Sequence, residues 1–279
     1  MQKLIKTVLI PIFFILSVAA FVSCKKAEDI LILPPENIRV ENDYLLWDAT
    51  PHTEWYLVDI DGTEYEADDP SLDLFMITTA PTTYRIQIRS VGDDTFNYQK
   101  SAWSAPFEYK LESPPLLVRE YKTGEYEILS ENPETLQGKI VIPSSVNGKP
   151  VTKIAKQAFY DAKNITRVVV PDSVLEISFA AFKGCSALQH IRLPENIKVL
   201  NHSAFEYCTS LQDFEIPVCD EIGDYVFQNC TSLKKLHIPQ QVKKIGTYLT
   251  AACNNITELS VDEKNPFYKS EGNCIIEKA

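Results

Sequence analysis

Seven cysteines are the most reactive side chains in this chain, and four of them recur at a nearly constant interval. Cys185, Cys208, Cys230 and Cys253 are separated by 23, 22 and 23 residues. Thiols bind zinc, form disulfides or act as nucleophiles. Ligands at one position of successive copies do not converge on a tetrahedral metal, and parallel neighbouring side chains rarely reach the torsion of a disulfide. The spacing favours free thiols in a core, and we expect no metal and no other cofactor.

The remaining polar side chains form no catalytic arrangement. The four histidines are dispersed: His52, His190, His202 and His237. The sequence contains neither His-x-x-x-His nor Gly-x-Ser-x-Gly, the motifs typical of metal and serine hydrolases. Acidic pairs such as Asp59/Asp61 lack the alternating calcium loop of an EF-hand, which indicates solvated turns. We therefore expect a protein that is not an enzyme.

Charge and composition limit the classes of partner. The 279 residues have a net charge of −11, with 45% hydrophobic and 23% charged residues, an ordinary globular composition. An acid excess repels phosphate backbones, so we expect no nucleic-acid partner. The excess is local, because residues 35–112 contain 16 acidic and 5 basic side chains, against 20 and 17 in residues 120–279.

The cysteine interval belongs to a longer repeat that defines the second half of the chain. Pro171, Pro194, Pro217 and Pro239 are spaced 23, 23 and 22 residues apart. Before each of the last three prolines, a phenylalanine, a cysteine, a leucine and a short apolar strand follow in fixed order. With a first and a fifth variant copy, the pattern predicts about five repeats of 22–23 residues.

This repeat pattern predicts a solenoid, because one copy cannot bury its apolar face alone and successive copies stack to share a core. Equivalent residues then form ladders with rungs about 4.8 Å apart. One predicted internal column is aromatic: Phe159, Phe182, Phe205 and Phe227. A second is aliphatic: Ile154, Ile177, Leu200, Ile222 and Ile245. In the fifth copy Thr250 stands where the phenylalanine belongs.

The repeat pattern resembles that of the BspA-like leucine-rich repeat, which is Ile-x-x-x-Ala-Phe-x-x-Cys-x-x-Leu-x-x-Ile-x-Ile-Pro. The segment Gly138 to Val151 resembles that family's entry, and Asn265 to Gly272 its exit. The family includes bacterial cell-surface lipoproteins implicated in adhesion and in binding host or matrix proteins. The resemblance implies the same kind of activity for this chain.

Outward-facing strand positions are the predicted binding face, because the sheet of a solenoid is the usual extended binding surface. One column reads Arg167, His190, Asp213, Lys235 and Glu258. Its neighbour reads Val169, Arg192, Glu215, His237 and Ser260. Charges of both signs suit a protein or a glycan better than a polyanion. A plain solvated sheet face remains the alternative.

The N-terminal residues predict export. Lys3 and Lys6 precede an apolar run over residues 8–22, which is too short for a comfortable membrane span. Ser23 and Cys24 follow, and the segment resembles a bacterial lipoprotein signal in which the cysteine is lipidated. An ordinary cleaved signal or an N-terminal anchor helix is the alternative. The resemblance implies a membrane tether at Cys24, and we expect a surface-exposed protein at the outer membrane.

Residues 34–112 predict a small antiparallel sandwich of seven short strands with turn signals between them. Tyr84, Ile86 and Ile88 alternate with polar residues, and Asp61-Gly62 is typical of a two-residue hairpin. No cysteine lies between Cys24 and Cys185, which excludes an internal disulfide. With Trp47 and Tyr84, the pattern resembles a fibronectin type III module.

Together these features predict a mainly β protein with a lipoprotein signal peptide (1–23), a linker (24–33), a fibronectin type III-like β-sandwich (34–112), a second linker (113–119) and a BspA-like leucine-rich-repeat solenoid (120–279). The predicted function is non-catalytic surface adhesion to a host, matrix or neighbouring-cell protein through the repeat sheet. The alternative is a glycan-binding surface lipoprotein associated with nutrient uptake.

Overall fold

The computed structural model describes residues 31–278 except residues 42, 76, 93–97, 113–115 and 196. We call residues 31–112 the N-terminal module. Its strands are β1 (Arg39–Glu41), β2 (Tyr44–Leu46), β3 (Thr53–Ile60), β4 (Thr63–Ala67), β5 (Ser71–Asp73), β6 (Thr83–Gly92) and β7 (Phe107–Lys110). The predicted signal peptide and Cys24 lie outside the described residues.

The N-terminal module consists of two antiparallel sheets around one core. The strand orders are β1-β2-β5 and β4-β3-β6-β7. Leu45 from the first sheet and Val58 and Ile88 from the second are fully buried in the same cluster, beside Trp47. Period-two alternation therefore places the apolar side chains of β6 in the core. The fibronectin type III assignment stays a prediction.

The predicted hairpin at Asp61-Gly62 is present between β3 and β4. Asp61 and Gly62 have φ values of +50° and +85°, as a type I′ turn requires. The Asp59 carboxylate accepts a hydrogen bond from the Gly62 N–H at 3.1 Å, and that of Asp61 accepts one from the Arg85 N–H at 2.9 Å. Both carboxylates of this acidic pair therefore accept backbone hydrogen bonds at the turn.

We call residues 117–278 the repeat domain. Its strands are β8 (Leu117–Lys122), β9 (Glu125–Leu129), β10 (Gln137–Val141), β11 (Ser145–Val146), β12 (Lys149–Ile154), β13 (Asn164–Val169), β14 (Glu176–Ile177), β15 (His190–Arg192), β16 (Val199–Leu200), β17 (Glu221–Ile222), β18 (Lys235–Ile238), β19 (Lys244–Ile245), β20 (Glu258–Val261), β21 (Tyr268–Glu271) and β22 (Cys274–Glu277). The domain is almost entirely strand and turn. Strand β8 begins inside the segment that the sequence predicts as a linker.

Each copy contributes one short strand to a long ladder, and every copy except the third contributes one to a second ladder, which makes the domain a solenoid. The long ladder has the order β19-β17-β16-β14-β12-β9-β8, parallel except for the β8–β9 hairpin at its first edge. The second ladder contains β10-β13-β15 and, separately, β18-β20. Residues Ile154, Ile177, Leu200 and Ile222 face one another in register along the long ladder and are fully buried. The predicted aliphatic column is confirmed for these four residues, and its fifth member, Ile245, continues the register but is only half-buried.

The second ladder is interrupted in the third copy, where a strand over residues 214–216 was expected. Only an isolated parallel bridge between Asp213 and Lys235 occurs there. Phe214 occupies the position of smaller aliphatic residues in the other copies, and its ring packs edge-on against Phe205 at 4.9 Å and Phe227 at 4.6 Å. We attribute the interruption to this larger inward side chain.

The aromatic column is confirmed as a stack of parallel rings. Phe159 and Phe182 have centroids 4.9 Å apart, Phe182 and Phe205 5.4 Å, and Phe205 and Phe227 5.9 Å, with interplanar angles of 1°, 2° and 8°. All four side chains are fully buried. Such spacing follows from the rung distance of a parallel ladder.

Backbone hydrogen bonds between successive aromatic turns form what we call the turn ladder. In each of the first four copies the phenylalanine N–H donates to a carbonyl of the next copy, as from Phe159 to Ala181 at 2.8 Å and from Phe205 to Val226 at 3.0 Å. The residues two before and two after the phenylalanine position have left-handed backbone in all five copies: Gln157, Ala180, Ser203, Tyr225, Tyr248 and Asp161, Gly184, Tyr207, Asn229, Ala252. Their N–H groups in the first four copies also donate to the following copy.

The cysteine column has a hydrogen-bonding role. Each thiol donates to the carbonyl of the phenylalanine position in the preceding copy, at distances of 3.1, 3.1, 3.2 and 2.8 Å for Cys185, Cys208, Cys230 and Cys253. All four are free thiols, as predicted. Burial raises the pKa of the Cys208 thiol well above its ordinary value, so that thiol keeps its proton and remains a donor.

Two further cysteines lie off this column. Cys219 is buried and Cys274 is exposed on β22. Burial raises the pKa of Cys219 to about 12. Both are free thiols in the structure.

The last copy is closed on its sheet side by the β21–β22 hairpin. The Tyr268 hydroxyl accepts a hydrogen bond from the Ile245 N–H at 3.1 Å, and the Asn265 amide donates to the Pro239 and Val242 carbonyls at 3.0 Å. These polar side chains satisfy backbone groups beside the fifth copy. Across the described part of the chain, no helix has the length and apolar character needed to cross a membrane.

Candidate functional site

The candidate site is the outward surface of the second ladder, which we call the repeat-sheet face. Its two columns lie in register as the repeat predicts: Arg167 opposite His190, Lys235 opposite Glu258, Val169 opposite Arg192 and His237 opposite Ser260. Asp213 joins Lys235 through the isolated bridge. The structure also extends both columns by one rung, since Lys139 pairs with Arg167 and Val141 with Val169.

The first rungs of this face are covered by the N-terminal module. Phe75 packs with Val141 and Val169 in a small buried cluster. We call Lys139, Val141, Arg167 and Val169 the covered half of the face. Arg167, a predicted binding residue, therefore lies at an internal contact, where its side chain is only 13% exposed.

Charge complementarity accompanies the apolar contact. The Arg167 guanidinium donates to the Asp73 carboxylate at 3.1 Å. Lys139 Nζ lies 3.7 Å from Asp43 Oδ1 and donates to the Thr78 hydroxyl at 3.1 Å. The Lys139 side chain is 6% exposed, and burial lowers its pKa, partly opposed by Asp43. The ring of Phe75 adds cation–π contacts to Lys139 and Arg167, with centroid distances of 5.7 and 5.1 Å.

His190 and Arg192 border the covered half. The His190 ring lies 6.3 Å from the ring of Phe75. Arg192 is half-buried and bonds to the Asp172 carboxylate and the Val170 carbonyl, both at 3.4 Å. These two predicted site residues therefore have part of their surface engaged within the chain.

The later rungs remain open to solvent. We call Asp213, Glu215, Lys235, His237 and Glu258 the free half, and all five side chains are exposed. Lys235 Nζ lies 2.9 Å from Glu258 Oε2, and its hydrogen bond to Glu258 raises the pKa of Lys235. His237 Nδ1 and the Ser260 hydroxyl are 3.0 Å apart. Parallel strands hold the backbones of Lys235, His237 and Glu258, whereas Asp213 is joined to Lys235 by the isolated bridge. The free half thus presents alternating charges on successive rungs.

Sequence reasoning missed the covering of the first rungs. The signal available was the charge distribution, since the N-terminal module is strongly acidic whereas Lys139, Arg167 and Arg192 cluster on the first rungs of the face. Within the described ranges, no group of three or more histidine, cysteine or acidic side chains is placed to hold a metal.

Comparisons with known proteins agree with the repeat. Residues 152–271 match the model of a BspA type leucine-rich repeat region in six copies, one more than the sequence analysis counted. No curated protein matches the chain.

Several solved structures are similar to part of the chain. A leucine-rich repeat protein from T. pallidum is 28% identical with a TM-score of 0.49, over 53% of this chain and 81% of that one. A leucine-rich repeat protein from Bacteroides ovatus is 25% identical with a TM-score of 0.46, over 55% of this chain and 41% of that one. The pneumococcal vaccine antigen PcpA is 20% identical with a TM-score of 0.42, over 58% and 52%. This chain thus spans about half or less of the last two.

Proposed function

We propose, from the BspA-type leucine-rich-repeat region at residues 152–271, that the protein is a non-catalytic binding protein whose free half recognises a protein partner. The exposed charges of Asp213, Lys235 and Glu258, which lie in register on three successive rungs, carry this proposal. Solenoid sheets commonly serve as extended binding surfaces. Alternating charge at fixed spacing selects a partner with the complementary pattern, since like charges brought together by a wrong partner are unfavourable.

The proposal extends to the setting in which the surface works. A lipid tether at Cys24 would hold the molecule on the outer face of the bacterial envelope, where a host, matrix or neighbouring-cell protein is accessible. The N-terminal module would then act as a fibronectin type III spacer. Its seven antiparallel strands, divided three and four between two sheets with one core, support an immunoglobulin-like sandwich.

Removing three side chains of the free half should weaken binding without unfolding the protein. We expect the triple variant Lys235→Ala/His237→Ala/Glu258→Ala to lose at least about ten-fold in affinity for its partner, the effect of about 1.4 kcal/mol. Its thermal unfolding midpoint should stay unchanged, because exposed ion pairs contribute little to stability. An array of extracellular-matrix proteins, probed with the full chain at physiological salt, identifies the partner and measures the loss.

A matched control exists on the other ladder. Lys244 and Glu221 form a similar exposed cross-rung pair, with Nζ and Oε1 2.5 Å apart. The variant Lys244→Ala/Glu221→Ala should bind like the unaltered protein. Equal binding by the triple variant, or equal loss in the control, would contradict a role for the free half.

The tether is tested separately by labelled palmitate. Cells that express the full chain should incorporate the label into it, and Cys24→Ala should lose all of it, because lipidation at this thiol is the attachment chemistry. Cys274→Ala, which changes an exposed thiol in the repeat domain, should label normally. Label that survives Cys24→Ala would exclude the lipoprotein proposal while leaving the binding proposal intact.

A further inference from the structure

The open part of the repeat-sheet face changes the sign of its charge from rung to rung. Four rungs lie beyond the covered half, and we name each by its first residue: His190 with Arg192, Asp213 with Glu215, Lys235 with His237, and Glu258 with Ser260. The His190 and Lys235 rungs carry a cation beside a histidine, whereas the Asp213 and Glu258 rungs carry only carboxylates and a hydroxyl. Charges of opposite sign therefore alternate along the solenoid axis.

The interval of this alternation limits the partners that can match it. Neighbouring rungs of a parallel ladder lie about 4.8 Å apart. An extended peptide presents one side of its chain about every 6.6 Å, which is two strand residues, so its charges fall out of step with the rungs. Another parallel ladder keeps the rung interval over any number of rungs, and the repeat domain of a second copy is such a ladder with the same charges.

Two copies with aligned strands can place these faces together by either of two two-fold axes. An axis along the solenoid brings each rung opposite itself, so that Asp213 would face an acidic rung and Lys235 a basic one. An axis parallel to the strands makes the two solenoids antiparallel and reverses the rung order. Like charges brought together are unfavourable, which excludes the first arrangement.

The antiparallel arrangement pairs opposite charges throughout. With the Asp213 rung of one copy on the Lys235 rung of the other, the facing residues are Asp213–Lys235, Glu215–His237, His190–Glu258 and Arg192–Ser260, each pair occurring twice. None of these is a pair of like charges. A shift by one rung would place Lys235 on Lys235 or Asp213 on Asp213, and a shift by two would leave only two rungs of each copy paired. The charges thus select one register that uses all four rungs.

The N-terminal modules lie outside the paired rungs. Each module covers the rungs that precede His190 in its own chain, through the contact of Phe75 with Val141 and Val169. In the antiparallel register these rungs of one copy extend past β20 of the other, so the two modules stand at opposite ends of the pair. Such a pair can connect molecules that are tethered to two facing surfaces.

We propose that the partner of the free half is a second copy of this chain, bound face to face and antiparallel in this register. The inference rests on the proposed function, because it names the partner of the same surface. Four rungs span only about 15 Å, and an interface of this length is smaller than that of a stable dimer. A single pair is therefore weak, and many copies on facing surfaces bind together through avidity.

Two-colour bead aggregation measures this self-association with many copies on each surface. The full chain is attached to red and to green beads through a terminal tag, which leaves every lysine unmodified, and mixed clusters are counted. Beads that carry the unaltered protein should cluster at physiological salt and disperse at about 1 M salt, where exposed charges are screened. Absence of clusters at physiological salt would overturn the second copy as the partner, whereas the array of matrix proteins tests the binding proposal separately.

Charge reversal identifies the facing residues. Asp213→Lys and Lys235→Asp should each reduce the clustering of beads that carry that variant alone by at least about ten-fold, because each creates two pairs of like charges across the two-fold axis. Red beads with Asp213→Lys and green beads with Lys235→Asp should cluster together, since the introduced cation then faces the introduced carboxylate. Their unaltered Lys235 and Asp213 face each other as well. Absence of this rescue would overturn the proposed pairing.

The long ladder supplies the matched control. Lys244 has the same side-chain exposure as Lys235, 68%, and also pairs with a glutamate of the neighbouring rung. Beads with Lys244→Asp should cluster like those with the unaltered protein, and all variants should keep its thermal unfolding midpoint. Equal loss of clustering in Lys244→Asp would overturn the assignment to this face. Clusters that persist in the triple variant of the free half would contradict both this inference and the proposed function.

Discussion

Replacing Phe205 by alanine should destabilise the repeat domain by about 3–5 kcal/mol, the usual cost of removing a buried phenylalanine. Phe205 lies inside the aromatic column, with stacked neighbours at 5.4 and 5.9 Å and the edge of Phe214 at 4.9 Å. Turns on both sides hold their spacing through the turn ladder, so the structure cannot close the cavity. The loss should therefore fall near the upper end of the range.

Urea unfolding followed by circular dichroism measures this loss. Tyr207→Ala, two residues further along the same turn, changes an exposed ring and should cost less than about 1 kcal/mol. Because a solenoid is stabilised mainly by neighbouring copies, the variant should also unfold over a broader urea range as the two ends separate. A Phe205→Ala protein as stable as Tyr207→Ala would show that the aromatic column does not support the core.

Replacing Asp43 by alanine should release the N-terminal module from the repeat domain. Asp43 lies between two cations, 3.7 Å from Lys139 Nζ and 4.0 Å from an Arg167 nitrogen. Its removal leaves Lys139 buried without its strongest opposing charge, which should cost about 3 kcal/mol and lower the pKa of Lys139 further. Separation of the N-terminal module from the repeat domain would expose Lys139 to solvent and so relieve this cost.

Small-angle X-ray scattering should then report a larger radius of gyration, and amide exchange should accelerate at Val169. Asp48→Ala provides the control, since Asp48 belongs to the same module and pairs with Arg39 at the surface. If scattering and exchange stay those of the unaltered protein, the ion pairs do not hold the two parts together.

The repeat could be predicted from the sequence because the same core side chains recur at a fixed interval. A phenylalanine and a cysteine at one interval imply stacked turns, and the structure places Phe182 on Phe159 and the Cys185 thiol on the Phe159 carbonyl. The interruption at Phe214 was not predicted, because the pattern treats every apolar residue at that position as equivalent. We attribute the difference to the larger volume of the Phe214 side chain.

The candidate site was predicted only in part. Period-two alternation identified the outward columns, including Lys235 and Glu258, because successive side chains of a strand point to opposite faces of the sheet. The covering of Arg167 depends on Phe75 and Asp43 from a module without repeats, and no spacing rule relates these positions. The stacking of Tyr225 on Tyr248, with ring centroids 5.2 Å apart, was missed for a similar reason: both residues have left-handed turn backbone, which a pattern of apolar residues does not encode.

The turn ladder also gives the solenoid a net dipole along its axis. In the second, third and fourth copies the peptide units that donate forward through their N–H accept backward through their C=O, so their dipoles point the same way, as they do in an α-helix. Summed over the five copies that the structure describes, this places partial positive charge on the side of Tyr248 and partial negative charge on the side of Gln157. Lys156, in the first copy, lies at the end where a cation is favoured. Each added turn lengthens this dipole, so the number of repeats sets the distance between the two poles as well as the area of the sheet.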